Sequence, residues 1–367
     1  MTTLSGRFEI LKESGSYRNG RFLGERHSFL TPVFMPVGTR GSVRLFPHDL
    51  LDQIGFEVVL ANTYHMMLRP GADVVAKLGG LHRFSGWPNA ILTDSGGFQV
   101  MSLDANFDLD GVSFRSVYDG AKAYLTPENA VRMQELLGSD IAMVLDVCTM
   151  LPASTDQLKE ALYLTISWAK RSKAAHNRSD QSLFGIVQGG TDATLRKISI
   201  EATCEIGFDG YAIGGLAVGE ERSLTLETVQ LCCDSLPQDA PRYLMGVGDP
   251  YSIVHAVELG VDMFDCVAPS RVARHGVGWT SNGKVSVKQA RYVASEEPLD
   301  PNCECDTCVR YPMALLNHLF KVDPVTLGVL LTRHNLTFMK TLISWCRKAV
   351  EEGNFNDPKR FVETYYS

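Results

Sequence analysis

Short runs of apolar and β-branched residues recur along the chain, at Val33–Val37, Glu57–Ala61, Ala90–Asp94, Ile141–Asp146, Leu183–Gln188, Gly210–Gly214, Tyr243–Val247 and Val261–Val267. Each has the length of a strand and is apolar through most of that length, the pattern of a strand covered on both faces. Longer stretches with helical periodicity separate most of them: Pro127–Leu137, Thr155–His176, Ala193–Ile206, Leu224–Ser235 and Tyr251–Leu259. Thr126 before Pro127 is a helix start, with a hydroxyl at the cap and proline in the first turn. Strand followed by helix, repeated, predicts a parallel sheet, and about eight repeats predict an α/β fold of the closed (β/α)8 TIM-barrel type. An open doubly wound sheet is the alternative, but no Gly-x-Gly-x-x-Gly turn follows the first strand. The rhythm breaks from about Gly276 to Ala314, a stretch rich in Lys, Gly and Cys that reads as an insertion after the last strand. Val325–Val350 then supplies the closing helices.

Composition narrows the picture. A chain of 367 residues can hold two domains or one barrel with an insertion. Its 45% hydrophobic and 21% charged residues fit a soluble globular enzyme. No run of about 18 apolar residues predicts a membrane span, and Met1–Arg7 lacks the basic start and apolar stretch of a secretory signal. Nine cysteines, three of them crowded together, point to a reducing cytoplasm and a metal site rather than a disulfide framework. The net charge of −7 weighs against a generic nucleic-acid binder. Net charge hides patches, however. No acidic residue falls between Asp265 and Glu296, whereas Arg271, Arg274, Lys284, Lys288 and Arg291 do. That segment is either a solvated basic face or a contact for polyanions.

In a barrel, chemistry gathers beyond the C-terminal ends of the strands. The third run ends in Asp94, the fourth in Asp146, the fifth in Gln188 and the sixth in Gly214-Gly215. The seventh runs into Met245-Gly246-Val247-Gly248, and the eighth carries Asp265. A single Asp in such a place is ordinarily a cap for the next helix. Three, each after apolar strand sequence, point to one mouth, because a carboxylate among apolar neighbours is costly unless it is bonded or used. Gly96-Gly97 lets the backbone approach a flat ligand, and Gly214-Gly215 does the same above Leu216 and Ala217. Two carboxylates around a sugar carbon suit glycosyl transfer, one attacking the anomeric carbon and the other moving protons. Asp146 and Gln188 have the donors and acceptors to read the edge of a base. Phe98 is either a stacking face or core packing.

The most specific local motif is Cys303-Glu-Cys305-Asp-Thr-Cys308. Three thiols separated by polar residues predict a structural Zn2+ site, with four tetrahedral ligands. The fourth is expected to be His334, in Thr332-Arg-His-Asn335, with His318 as its competitor. The expected organisation is one catalytic barrel over residues 1–367, with a zinc-binding insertion over 276–335.

Together these residues resemble the tRNA-guanine transglycosylases of the bacterial type, the queuine or preQ1 tRNA-ribosyltransferases. The similarity runs nearly end to end. It is carried by Asn62-Thr-Tyr-His65, Asp94-Ser-Gly-Gly-Phe-Gln-Val100, Leu137-Gly-Ser-Asp-Ile141, Val187-Gln-Gly-Gly190, Gly214-Gly-Leu-Ala-Val-Gly-Glu220, Tyr243-Leu-Met-Gly-Val-Gly248, Met263-Phe-Asp-Cys-Val267 and the cysteine spacing with its distant histidine. The resemblance implies a pentosyltransferase of queuosine formation. Such an enzyme replaces guanine at the wobble position (34) of tRNAs with GUN anticodons (those for Asp, Asn, His and Tyr) by a 7-deazaguanine, preQ1 or queuine. It works through a covalent Asp–ribosyl intermediate. By motif, Asp265 is the expected nucleophile and Asp94 the expected general acid/base. Asp94, Ser95, Gly96, Gly97, Phe98, Asp146, Gln188, Gly215, Leu216 and Met245 are the expected contacts to the base. Gly246, Val247, Gly248, Asp249, Pro250, Tyr251 and Ser252 are expected against the anticodon RNA, together with Ser270, Arg271, Val272, Ala273 and Arg274. Phosphate contacts there would position the strand while the pocket chooses the base, and the target base must leave its stack. A cytoplasmic homodimer with no membrane association is also implied.

One departure stands out. The chain reads Asp146-Val-Cys-Thr-Met150 where the family usually has Asp-Glu-Cys-Thr-Pro. The family's acidic residue supports the pocket wall facing the 7-substituent, so Val147 is expected to alter the choice between preQ1 and queuine. Cys148 and Val218 keep the bacterial pattern. Two other classes compete: a retaining glycoside hydrolase on the same barrel, and an RNA-binding accessory subunit without catalysis. The basic, cysteine-containing insertion counts against the first, and the presence of both Asp94 and Asp265 counts against the second.

Overall fold

The computed structural model describes residues 6–101, 103 and 105–367. Eight strands pair in parallel in chain order: Val33–Gly38, Val58–Ala61, Ala90–Thr93, Ile141–Met143, Ser182–Val187, Gly210–Ile213, Arg242–Leu244 and Met263–Cys266. The last closes onto the first, with Met263 opposite Val33 and Asp265 opposite Met35. This is the closed α/β barrel that the apolar runs predict. Nearly every strand residue is buried, because side chains on one face fill the barrel and those on the other meet helices. The runs read in the sequence extend past several strand ends. Asp94 and Gln188 follow directly on their strands and Asp146 stands three residues beyond its own, where ladder pairing has stopped and the chain turns outward.

The helices begin where local chemistry sets them. Thr126 accepts from the Asn129 amide at 3.1 Å ahead of Pro127–Leu137. Ser154 and Gln157 form a reciprocal capping box at the start of Thr155–Ala175. The expected closing helices are one continuous helix of 29 residues, Pro324–Glu352, followed by Asn356–Tyr365.

Two antiparallel sheets lie outside the periodic pattern. The N-terminal strands Gly6–Ser14, Tyr17–Gly24 and Ser28–Thr31 cover the N-terminal end of the barrel. There Phe22 packs on Phe29 and on Phe184 of the fifth barrel strand. Arg18 reaches Asp262, just before the last strand, through a buried pair at 2.6 Å. The second sheet, Asn106–Phe107, Val112–Arg115 and Lys122–Leu125, sits between the third strand and its helix. It builds an apolar cluster of its own with Tyr64, Phe114 and Trp168.

After the eighth strand come the short helix Ala268–Arg274, the hairpin Val277–Thr280 and Gly283–Ser286, and the helices Asp306–Arg310 and Met313–Val322. Asn335, midway along the long helix, fastens this region down. Its Oδ1 accepts from the Trp279 amide at 2.9 Å, and its Nδ2 donates to the Pro269 and Val277 carbonyls at 2.9 and 3.0 Å. Among the described residues no helix is long and apolar enough to cross a membrane.

Candidate active site

The C-terminal mouth of the barrel holds a cavity of about 400 Å³, lined by Asp94, Asp146, Gln188, Gly215, Asp265 and residues between them. That volume lies in the range of small-ligand pockets. The three strand-end carboxylates therefore do converge. Asp94 accepts from Asn62 Nδ2 at 2.6 Å and from the Thr63 and Gly96 amides at 2.9 and 3.1 Å. Even with these donors, burial pushes its carboxyl up to about 7, and the negative charges of Asp265 and Asp146 add to the rise. Asp265 differs. Its Oδ1 accepts from the Tyr243 hydroxyl at 2.6 Å and the Gly246 amide at 2.7 Å. Its Oδ2 has no protein partner among the described residues. Burial raises this carboxyl too, opposed by both donors.

Deeper in the pocket, Asp146 Oδ2 accepts from Gln188 Nε2 at 2.7 Å, and burial pushes Asp146 up to about 6. The pair forms a fixed amide–carboxylate edge. Gly215 has φ 67°, and a Cβ there would collide with Gln188 Oε1, so any side chain would displace the edge. Phe98 is 56% exposed at the lip of the cavity, which answers the alternative of core packing in favour of an available ring face. Ser95, Gly96, Leu216 and Met245 also line the cavity, whereas Gly97 is buried behind it, against the Asp146 carbonyl.

The segments expected against RNA divide by exposure. Gly246, Asp249, Tyr251, Arg271, Val272 and Arg274 are accessible. Val247, Gly248, Pro250, Ser252, Ser270 and Ala273 are buried. Val247 belongs to the main core, Gly248 packs on Cys266, and Asp249 with Ser252 caps the helix Pro250–Glu258 at 3.0 Å. They shape the turn that the accessible residues occupy.

Val147 does not line the cavity. Its side chain is buried in the apolar cluster of Tyr64, Leu145, Ala161 and Trp168, and its amide donates to Thr165 Oγ1 at 3.0 Å. Adjacent residues of extended chain face opposite ways, so with Asp146 and Cys148 on the pocket, Val147 points behind it.

Sequence reasoning left several supporting residues without a role. Asn62, Thr63 and Tyr243 hold the two carboxylates of the mouth, and all three stand within the motifs noted above. Arg196 is fully buried and donates to the carbonyls of Gly190, Val187 and Gly214 at 2.7, 2.9 and 2.7 Å, tying together the ends of the fifth and sixth strands. Its signal was an arginine on the buried face of Ala193–Ile206, beside Leu195, Ser199 and Ile200.

Cys303, Cys305, Cys308 and His334 come together with their ligand atoms all within 4.8 Å of one another. His318 is exposed and outside this group. His334 Nδ1 lies 3.6 Å from Cys305 Sγ and 3.3 Å from Cys308 Sγ. Four-coordinate geometry with ordinary metal–sulfur and metal–nitrogen bonds gives such a separation of about 3.5 Å. His334 Nε2 lies 2.8 Å from the Trp279 carbonyl, the outer bond that leaves Nδ1 free as a ligand. Donor set and spacing fit a resident metal ion. A larger cleft of about 600 Å³ lies beside this cluster; of its acidic groups, Asp300 is engaged with Ser281 and Asp306 with Arg333.

Fold and site define a class: a (β/α)8-barrel enzyme with buried carboxylates at its mouth and a metal-binding Cys3His cluster near its C-terminus. The particular family follows from comparison with known proteins. The chain belongs to the queuine tRNA-ribosyltransferase family, whose sequence model matches residues 13–367. It is 48% identical over 340 residues to a queuine tRNA-ribosyltransferase of Caldanaerobacter subterraneus subsp. tengcongensis, covering 92% of this chain and 91% of that protein. It is 45% identical over 362 residues to one of Francisella tularensis subsp. novicida, covering 98% and 99%.

Proposed function

We propose that the protein exchanges guanine at position 34 of tRNAs with GUN anticodons for a 7-deazaguanine, preQ1 or queuine, through a covalent ribosyl intermediate on Asp265. The observation that carries this reading is the asymmetry between two carboxylates of one cavity. Asp265 keeps Oδ2 free while its Oδ1 is held by two donors. Asp94, with its carboxyl near 7, holds a proton that it can give and take back at neutral pH. In the first half-reaction Asp265 Oδ2 bonds to ribose C1′, the C1′–N9 bond breaks, and the departing guanine takes the proton of Asp94. In the second, Asp94 takes the N9 proton of the incoming base, N9 bonds to C1′, and the ester to Asp265 breaks. Asp146 and Gln188 read the base edge and Phe98 stacks on the base.

The Cys3His cluster holds Zn2+ in this reading. The ion contributes folding free energy to the insertion over residues 276–335 of a single catalytic domain. Family membership also carries the expectation of a homodimer, which light scattering of the purified protein tests.

Base exchange with radiolabelled guanine on bulk tRNA tests the activity, and separates it from a glycoside hydrolase and from an inactive RNA-binding subunit. Asp265→Asn is expected to lower exchange by roughly a thousandfold or more and to abolish a tRNA adduct stable to denaturing electrophoresis. Persistence of that adduct in Asp265→Asn overturns the assignment.

A further inference from the structure

We propose that Arg40, Arg69 and Tyr118 form a second tRNA-backbone contact, a phosphate clamp on the loops that follow the first three barrel strands; this rests on the tRNA reading above. Tyr118 stands in the turn between Val112–Arg115 and Lys122–Leu125, the sheet that the apolar periodicity did not predict. The Arg40 guanidinium lies 5.6 Å from its ring centroid and that of Arg69 4.8 Å. The ring is itself fixed, since the Tyr118 hydroxyl lies 2.9 Å from His65 Nδ1. His65 lines the catalytic cavity, so the cluster stands at its lip. Burial, with the Arg40 charge added, holds the His65 imidazole below its usual value, so it is neutral at physiological pH.

Two exposed guanidinium groups on one ring repel each other, and such arginines are ordinarily relieved by a carboxylate. Among the described residues neither makes an ion pair or a hydrogen bond. Asp119, the adjacent acid, accepts from the Ala121 amide at 3.1 Å within its own turn and meets Arg69 only through longer-range charge, without an ion pair. Stacking on an aromatic ring preorganises the planar guanidinium and leaves its N–H fork available, the form in which arginine recognises phosphate.

The cluster also continues an existing surface. Arg271 and Arg274 follow the eighth strand, and Arg44 follows the first; Arg44 and Arg271 both depress Arg274, after burial as the larger cause. The eighth strand neighbours the first in the closed barrel. Arg271, Arg274, Arg44, Arg40 and Arg69 thus stand on three consecutive loops along one side of the mouth, with Tyr118 on the next. A backbone that meets Arg271 and Arg274 would continue along this side.

The test is tRNA binding by the full-length protein as a function of salt, for wild type and for Arg40→Ala/Arg69→Ala. Loss of two phosphate contacts is expected to flatten the log–log salt dependence by about 1.4 and to weaken binding roughly twentyfold near 0.1 M salt. KM for tRNA should rise while kcat and the KM for free base stay unchanged. Arg40→Lys/Arg69→Lys, which retains charge, should recover most of the slope. Tyr118→Ala should weaken binding, and Tyr118→Phe, which keeps the ring but loses its hydroxyl anchor, should weaken it less. If wild type exchanges guanine and the double alanine variant binds with unchanged affinity and slope, the clamp is wrong and the function stands. If wild type neither binds tRNA nor exchanges guanine, the functional reading itself has failed, and the clamp with it.

Discussion

Asp94 is surrounded by donors that favour its anion, yet it keeps its proton to about pH 7 because burial and two neighbouring carboxylates outweigh them. In the unfolded chain it titrates near 3.8. The folded state therefore binds an extra proton between those values, and this group's contribution to stability is present below about 4 and lost as pH rises through 7. In the proposed reaction the same proton is the one given to the departing base. The rate of guanine exchange at limiting tRNA is expected to fall above about pH 7, and a profile flat from about pH 6 to 9 would remove Asp94 as the acid. Val147 calls for a different outcome at the same scale. Its methyls are packed among Tyr64, Leu145 and Trp168. Val147→Glu should cost about 1–3 kcal/mol in denaturant unfolding, from burying a carboxylate there. The ratio of preQ1 to queuine competition against labelled guanine should not move; a large change in that ratio would return Val147 to the pocket wall.

At the level of elements, the amide–carboxylate edge of the pocket depends on where the fifth and sixth strands end, and Arg196 sets that relation through three carbonyls. Arg196→Met keeps most of the volume and removes every donor. Stability is expected to fall by about 2–4 kcal/mol, since carbonyls of a buried turn lose charged partners. Affinity for the free base should drop with it, because Gln188 and Gly215 share that turn. Unchanged melting together with unchanged base affinity would show that the strand ends hold without Arg196. The elements differ in how plainly they were written in the chain. Pro127–Leu137 and Thr155–Ala175 were readable to within a residue or two because cap, periodicity and length agree. The N-terminal strands were not, because the alternation of Arg7-Phe8-Glu9-Ile10 is broken at Leu11, where the register of the strand shifts.

Over the whole molecule, the metal cluster and Asn335 together fix the insertion to the long helix Pro324–Glu352. Removal of the metal should lower the melting temperature and open the chain between residues 276 and 323 to proteolysis. His334→Ala is expected to lose bound metal with the same consequences, and His318→Ala to keep both metal and protection. Full metal content in His334→Ala would move the fourth ligand elsewhere.

The sequence by itself determined the barrel, the convergence of Asp94, Asp146 and Asp265, and the three thiols of the metal-binding cluster. Strand burial, strand-end polarity and close cysteine spacing are all local in the chain, and the closed barrel turns them into one site by symmetry. Tertiary structure alone decided which way Val147 points, which of the residues 246–252 and 270–274 reach solvent, and that Arg40, Arg69 and Tyr118 meet. Those facts depend on contacts between loops distant in sequence. The course of such loops is set by the packing of the whole molecule, and no period or spacing within one segment encodes it.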